Sequence, residues 1–306
     1  MLELLFAAAL MDTIIAEPDY GTVHVHEWGA VTFSEENVIF GANPMTDPNS
    51  DFIPPDHWDE PVARAPIVYF YGEPFTGTFT VNVHSGNFIE TLPVPSSLVS
   101  TSPMPPENSY SATWVITGTS NEQHRDITGI EYSCISADLL KIWREPSSYL
   151  LDFDTGAQEK FVYYECSLHP SSGDAFYPVL LQNDGAVLDP DYTGPVMRFL
   201  KDGDTVNMEL ITAWTEPEQA INASDQNLDV PEILCDWAGG SMKSEELNSM
   251  WDTWKSWIFD GSWSGDTLLV FPLPINTIEG MTSINLAVGS YANVEYSRFY
   301  LGIISN

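Results

Sequence analysis

The 306 residues are 43% hydrophobic and 12% aromatic, enough apolar surface to bury a sizeable core and to exclude a mainly disordered chain. Ten basic residues against 44 acidic ones give a net charge of −34, yet charged residues make up only 18% of the chain, below the about 25% of ordinary domains, so the imbalance is a shortage of Lys and Arg. A chain without a cationic cluster is excluded from nucleic-acid and anionic-lipid partners, and the shortage fits either a salty, divalent-rich medium or an exterior where trypsin-like cleavage is a liability.

The apolar run Leu4 to Leu10, followed by Asp12, Ile14, Ile15 and Ala16, has the length of a signal-peptide core and is too short to span a bilayer. This reading makes residues 1–16 a signal peptide cleaved near Ala16 and the protein extracytoplasmic: secreted, periplasmic or cell-surface. Glu3 stands where a Lys or Arg is usual and Asp12 interrupts the run, so an N-terminal strand or short helix packed on the core is the alternative. Nothing later is long and apolar enough for a transmembrane helix. Residues 17–306 read as a single β-rich domain or two tightly packed sub-domains.

From Gly21 onward Val23, Val25, Val31 and Phe33 alternate as in a half-buried strand, with Gly29 marking a bulge or a close backbone approach. Asn43 to Pro61 reads as an extended loop, and the run Ile67 to Tyr71 after Pro66 as a central strand. Further β-branched and aromatic runs at Phe79 to Val83, Gly129 to Ser133 and Phe161 to Glu165 read as strands, and the Pro- and Ser-rich stretch Pro93 to Pro106 as a long loop inside one β architecture. No repeat of fixed period is visible.

The cysteines are three: Cys134, Cys166 and Cys235. Cys134 and Cys166 each follow a predicted strand, so neighbouring strands could bring them to disulfide distance, while three buried thiols are the alternative. No zinc-type Cys/His spacing occurs. Asn222-Ala223-Ser224 is a glycosylation sequon, a pattern that chance often supplies.

One long helix is predicted over about 244–259, with Ser244 as N-cap and Glu245 and Glu246 at the positive end of its dipole. Leu247, Met250, Trp251, Trp254 and Ile258 form one apolar stripe, widened by Trp257, that faces a sheet. Strands at Leu268 to Phe271, Ile284 to Val288 and Arg298 to Ile304 are its partners. The expected fold is therefore mainly β, sandwich-like, with one amphipathic C-terminal helix packed on the sheet.

The sharpest chemical constellation is His24-x-His26-Glu27. Histidines two apart on a strand share a face and are the candidate metal ligands, for zinc (Zn2+), while Glu27 points the other way beside Val23 and Val25. A half-buried acid there needs a partner, with backbone amides, Trp28 or an Arg as the candidates, and the chain has only five Arg and five Lys; the structural reading outweighs the metal one. The acid pairs Asp152/Asp154, Asp189/Asp191 and Asp202/Asp204 are candidates for calcium (Ca2+), although none matches an EF-hand loop. No Gly-x-Ser-x-Gly elbow, phosphate loop or dinucleotide fingerprint is present.

Val25-His26-Glu27-Trp28-Gly29 with Thr32-Phe33, Pro66 to Tyr71, and Thr253-Trp254-Lys255-Ser256-Trp257 with Asp260-Gly261 before a strand ending in Pro272 occur in that order. Over nearly the whole chain this resembles a family of bacterial proteins, frequent in planctomycetes and myxobacteria, that open on a His-Glu-Trp-Gly-Thr-Phe-Thr signature. The resemblance implies export and a β-rich fold, and no activity. The sequence departs from the family pattern at Ala30-Val31, at Arg64, near a place where an acid is usual, and at Asp266-Thr267, where a basic residue is common. The functional expectation is an exported binding or surface-structural module with an extracellular or surface partner. The alternative is a hydrolase, metal-assisted through His24 and His26 or using paired carboxylates, with Glu27 as the catalytic candidate.

Overall fold

The computed structural model describes residues 21–33, 61–84, 86–100, 110–119, 127, 129–168, 176–182, 185–203, 205–214, 221–222, 228–289 and 292–306. The leader reading, nearly all of the Asn43–Pro61 loop, the second half of the Pro/Ser stretch, Asp204, and Ala223 and Ser224 of the sequon lie outside those residues. In chain order, β1 (Thr22–Thr32), β2 (Val62–Gly72), β3 (Phe75–Val83), β4 (Gly86–Leu92), β5 (Ser97–Ser100) and β6 (Tyr110–Thr119) precede the helix α1 (Ala137–Arg144). β7 (Leu150–Phe153), β8 (Gln158–Glu159), β9 (Val162–Leu168), β10 (Val179–Gln182), β11 (Gly185–Leu188), β12 (Val196–Asp202), β13 (Thr205–Ile211) and β14 (Ile221–Asn222) lead to α2 (Val230–Ala238) and α3 (Ser244–Asp260). After them come β15 (Thr267–Pro272), α4 (Ile275–Met281), β16 (Thr282–Val288) and β17 (Asn293–Ser305).

The fold is mainly β and sandwich-like. A nine-stranded sheet runs β14-β13-β12-β15-β17-β1-β2-β9-β4, and a six-stranded sheet runs β16-β3-β6-β7-β8 with β5 also paired to β6. Side chains of the two sheets meet in one core, where Val25, Phe70, Val162 and Phe271 of the large sheet pack with Phe79, Trp114, Ile116 and Leu151 of the small one. On its other face the large sheet is covered by helices. There Ile67, Tyr69, Val270 and Phe299 pack with Trp143 of α1, Leu234 of α2 and Leu247, Met250, Trp254 and Ile258 of α3. A strand covered on both faces needs no polar side, which is why β2 reads as the unbroken apolar run Ile67 to Tyr71.

β1 and β17 are paired in parallel, and the other described pairings are antiparallel. The first and last described strands thus lie side by side at the centre of the large sheet, which holds the signature segment between β17 and β2.

Three details differ from expectation. The predicted helix begins at Ser244, but Lys243 is the N-cap, and the capping acceptor is Glu246, which takes the Lys243 backbone N–H at 2.7 Å; the carboxylate at the third helical position closes the first turn from inside. Residues 129–133 form turns rather than a strand. Among the described residues three shorter helices join the long one, and the signals of two are local: the Ser136 side chain caps α1, and Asp229, Pro231 and the left-handed Gly239 bound α2.

Candidate functional site

β1 presents the signature to both layers. On the inter-sheet side Glu27 lies beside Val23 and Val25 and opposite Arg298 of β17 in the ladder register. It is fully buried, and both its oxygens are taken: Tyr164 donates to Oε1 at 2.7 Å and the Arg298 Nε donates to Oε2. The other two Arg298 nitrogens donate to the Thr282 carbonyl at 2.8 Å and to its Oγ1 at 2.7 Å. Tyr164 and Tyr300 hydroxyls are 3.1 Å apart, and burial, then the Glu27 charge, hold both phenols well above their ordinary range. Burial, the largest single influence, would lower Arg298, but the Glu27 charge and hydrogen bond together with Tyr300 and Tyr164 outweigh it and hold the guanidinium above its usual value. A general base has to reach a substrate proton; Glu27 is instead the centre of a closed ion-pair network.

On the helix side His24 and His26 do share a face, with ring centroids 6.5 Å apart, but they turn to different carboxylates. His26 Nδ1 lies 3.0 Å from Glu246 Oε2, whereas His24 Nδ1 lies 3.3 Å from Glu295 Oε2 of β17. Glu246, fully buried in the first turn of α3, also accepts from the Tyr71 hydroxyl at 2.9 Å. The Lys243 ammonium sits over the Tyr71 ring, 3.4 Å from its centroid. Burial, then the Glu246 charge, raises the Tyr71 phenol beyond its ordinary range. This arrangement fastens the start of α3 to β1 and β2. Among the described residues no three His, Cys, Asp or Glu side chains are grouped as metal ligands.

A third feature crosses the centre of the sheet. The β1/β2 ladder slips between Trp28 and Ala30, the β2/β9 ladder between Ala63 and Ile67, and the β4/β9 ladder between Phe88 and Glu90. These irregularities lie in one row across four adjacent strands. Gly29 belongs to it because a Cβ there would fall 2.8 Å from the Tyr300 ring and 3.1 Å from the Pro66 Cα. On β2 the extra residue changes which face the strand presents, with Ala63 in the inter-sheet core and Ala65 and Ile67 on the helix side. Ala65 is held at φ 46°, in the left-handed region.

The row gathers charge. Arg64 NH1 lies 3.6 Å from Glu165 Oε2, and Glu90 stands directly across the β4/β9 ladder from Glu165. Glu165 also accepts hydrogen bonds from the Tyr163 side chain and the Ala65 backbone, yet burial, helped by Glu90, raises its carboxyl above the ordinary value of 4.5. Cys134 is hydrogen-bonded to Glu90, and burial, then Glu90, pushes its thiol up to about 11. Trp28 Nε1 and Arg64 Nε are buried donors without an acceptor among the described residues. Arg64 is the departure visible in sequence, whereas Glu165 and Glu90 carry no local signal because the bulges alone bring them together.

The expected Cys134–Cys166 disulfide is not formed: all three cysteines are free. Cys166 points into the inter-sheet core while Cys134 packs against the helix-side core, so the large sheet stands between them. Of the acid pairs, Asp152 accepts from Gln158 within its hairpin and Asp154 from Ser96 at 2.6 Å. Asp189 Oδ1 accepts from the Asp191 backbone at 2.8 Å, the bond of an Asx turn.

The four described arginines are each paired with a glutamate: Arg64 with Glu165, Arg144 with Glu159, Arg198 with Glu209 and Arg298 with Glu27. Lys160 turns inward to the Arg144 carbonyl at 2.6 Å, and Lys201 to the Trp263 carbonyl at 2.5 Å. No helix among the described residues is long and apolar enough to cross a membrane.

No protein-family model and no curated protein matches the chain. Among solved structures it is similar to the Fcho1 Mu homology domain of Danio rerio with bound Eps15 peptide, at 10% identity over 92% of this chain and 94% of that one. The TM-score is 0.30, a likeness too distant to inform the site.

Proposed function

We propose that the protein is an exported binding or surface-structural module whose acidic exterior is its working surface, engaging a cationic partner outside the cytoplasm. The observation that supports this reading is where the cations are. Each described arginine is bound to a glutamate, largely in the interior, although the chain carries 44 acidic residues against 10 basic ones. The described arginines are thereby withdrawn from the surface, leaving only Lys141, Lys243 and Lys255 as exposed cations among the described residues. Such a surface attracts cationic partners over a Debye length and repels anionic ones. The two functional groups of the signature strand, Glu27 and His26, are engaged in holding layers together, which fits a scaffold.

The test is fractionation of producing cells, followed by salt elution of the envelope. The expected result is recovery of the chain outside the cytoplasm, with its new N-terminus near residue 17, and release as salt shortens the Debye length to about 3 Å near 1 M. Recovery in the cytoplasm overturns export. Retention indifferent to salt overturns the electrostatic mode of binding.

A further inference from the structure

Among the described residues β4 is the last strand of the large sheet and is paired only with β9. Its ladder is broken at Ile89, an exposed residue opposed by nothing on β9. That extra residue turns the strand over, so that Phe88 packs on the inter-sheet core whereas Leu92 packs on the helix side. It also sets Glu90 against Glu165, where a regular strand would have placed one of the two on the other face. Like charges directly opposed across a ladder destabilise it.

From these contacts we infer that β4 is a proton-operated latch: a proton held on Glu165 relieves its opposition to Glu90 when the strand is closed, and loss of that proton releases β4 from β9. Arg64 and the Ala65 backbone N–H approach from β2, Tyr163 lies on its own strand, Glu90 comes from β4, and Cys134, itself bonded to Glu90, comes from the segment before α1. Arg64, Ala65 and Tyr163 favour the ionised acid, while burial and Glu90 oppose it, and the net effect is a carboxyl raised above its ordinary value. With both acids ionised, repulsion falls on a strand already interrupted one residue away.

The sign follows from linkage. Glu165 holds its proton more tightly with β4 closed than with β4 open, so closure is strongest below the ordinary value of 4.5 and weakens as pH rises through the raised value. One proton changes the closed-to-open ratio by at most about tenfold per pH unit within that window.

Amide hydrogen exchange of the full chain, corrected for the intrinsic pH dependence of exchange, tests this. Protection of the β4 amides is expected to fall with rising pH by up to about tenfold per unit and then level off, while the central strand β17 stays unchanged. Glu90→Gln and Glu165→Gln should each flatten the β4 profile, and either variant suffices if the other does not fold. The latch is overturned by a β4 profile that is flat in the wild type, by one that follows β17, or by one that keeps its slope in a folded variant.

Discussion

Two buried ion pairs on opposite faces of the large sheet handle charge differently. On the inter-sheet face, Glu27 and Arg298 satisfy one another, and their remaining bonds run to Tyr164 and Thr282, with Tyr300 bonded to Tyr164. Across the sheet, on the helix face, Arg64 keeps a buried Nε without an acceptor, and Glu165 faces a second carboxylate. A buried pair is tolerable when its geometry and its secondary hydrogen bonds are complete. The first face meets that condition and acts as a fastener, while the second falls short of it and is the place where protonation can alter the structure.

Breaking the closed side should have the largest effect. Arg298→Met strands Glu27 in the core and is expected to cost about 3–5 kcal/mol in denaturant unfolding, whereas adding Glu27→Gln to it should recover most of that loss. A stability change below about 1 kcal/mol for Arg298→Met would show that the pair is dispensable. Glu246→Ala tests the helix-side fastening, since it leaves Tyr71, His26 and the Lys243 backbone N–H without their shared acceptor. The expected loss is about 2–3 kcal/mol, with earlier exchange of the first turn of α3. At the small end, Lys255→Ala removes a largely exposed pair with Asp252. Its unfolding midpoint should move by no more than the equivalent of about 0.5 kcal/mol, the scale of an exposed helix pair.

Some of this was legible residue by residue. Val23, Val25, Val31 and Phe33 announce β1 through their alternation, Ile67 to Tyr71 announce a strand covered on both faces, and the α3 stripe announces the face that meets the sheet. Gly29 announces a close approach, which Tyr300 and Pro66 supply. That His24 and His26 share a face and Glu27 opposes them follows from the period of two. Each of these signals is carried by neighbours in the chain.

Sequence by itself therefore determined the β-rich class, the long helix, the orientation of the signature side chains and the scarcity of cations. Only tertiary structure decided the partners. Glu27 finds Arg298 271 residues away, His26 finds Glu246 220 residues away, and Cys134 and Cys166 end on opposite sides of one sheet. Glu90 meets Glu165 because one extra residue on an edge strand reverses its facing. Periodicity encodes which way a side chain points, but which strand lies beside it, and in what register, is settled by the packing of whole layers.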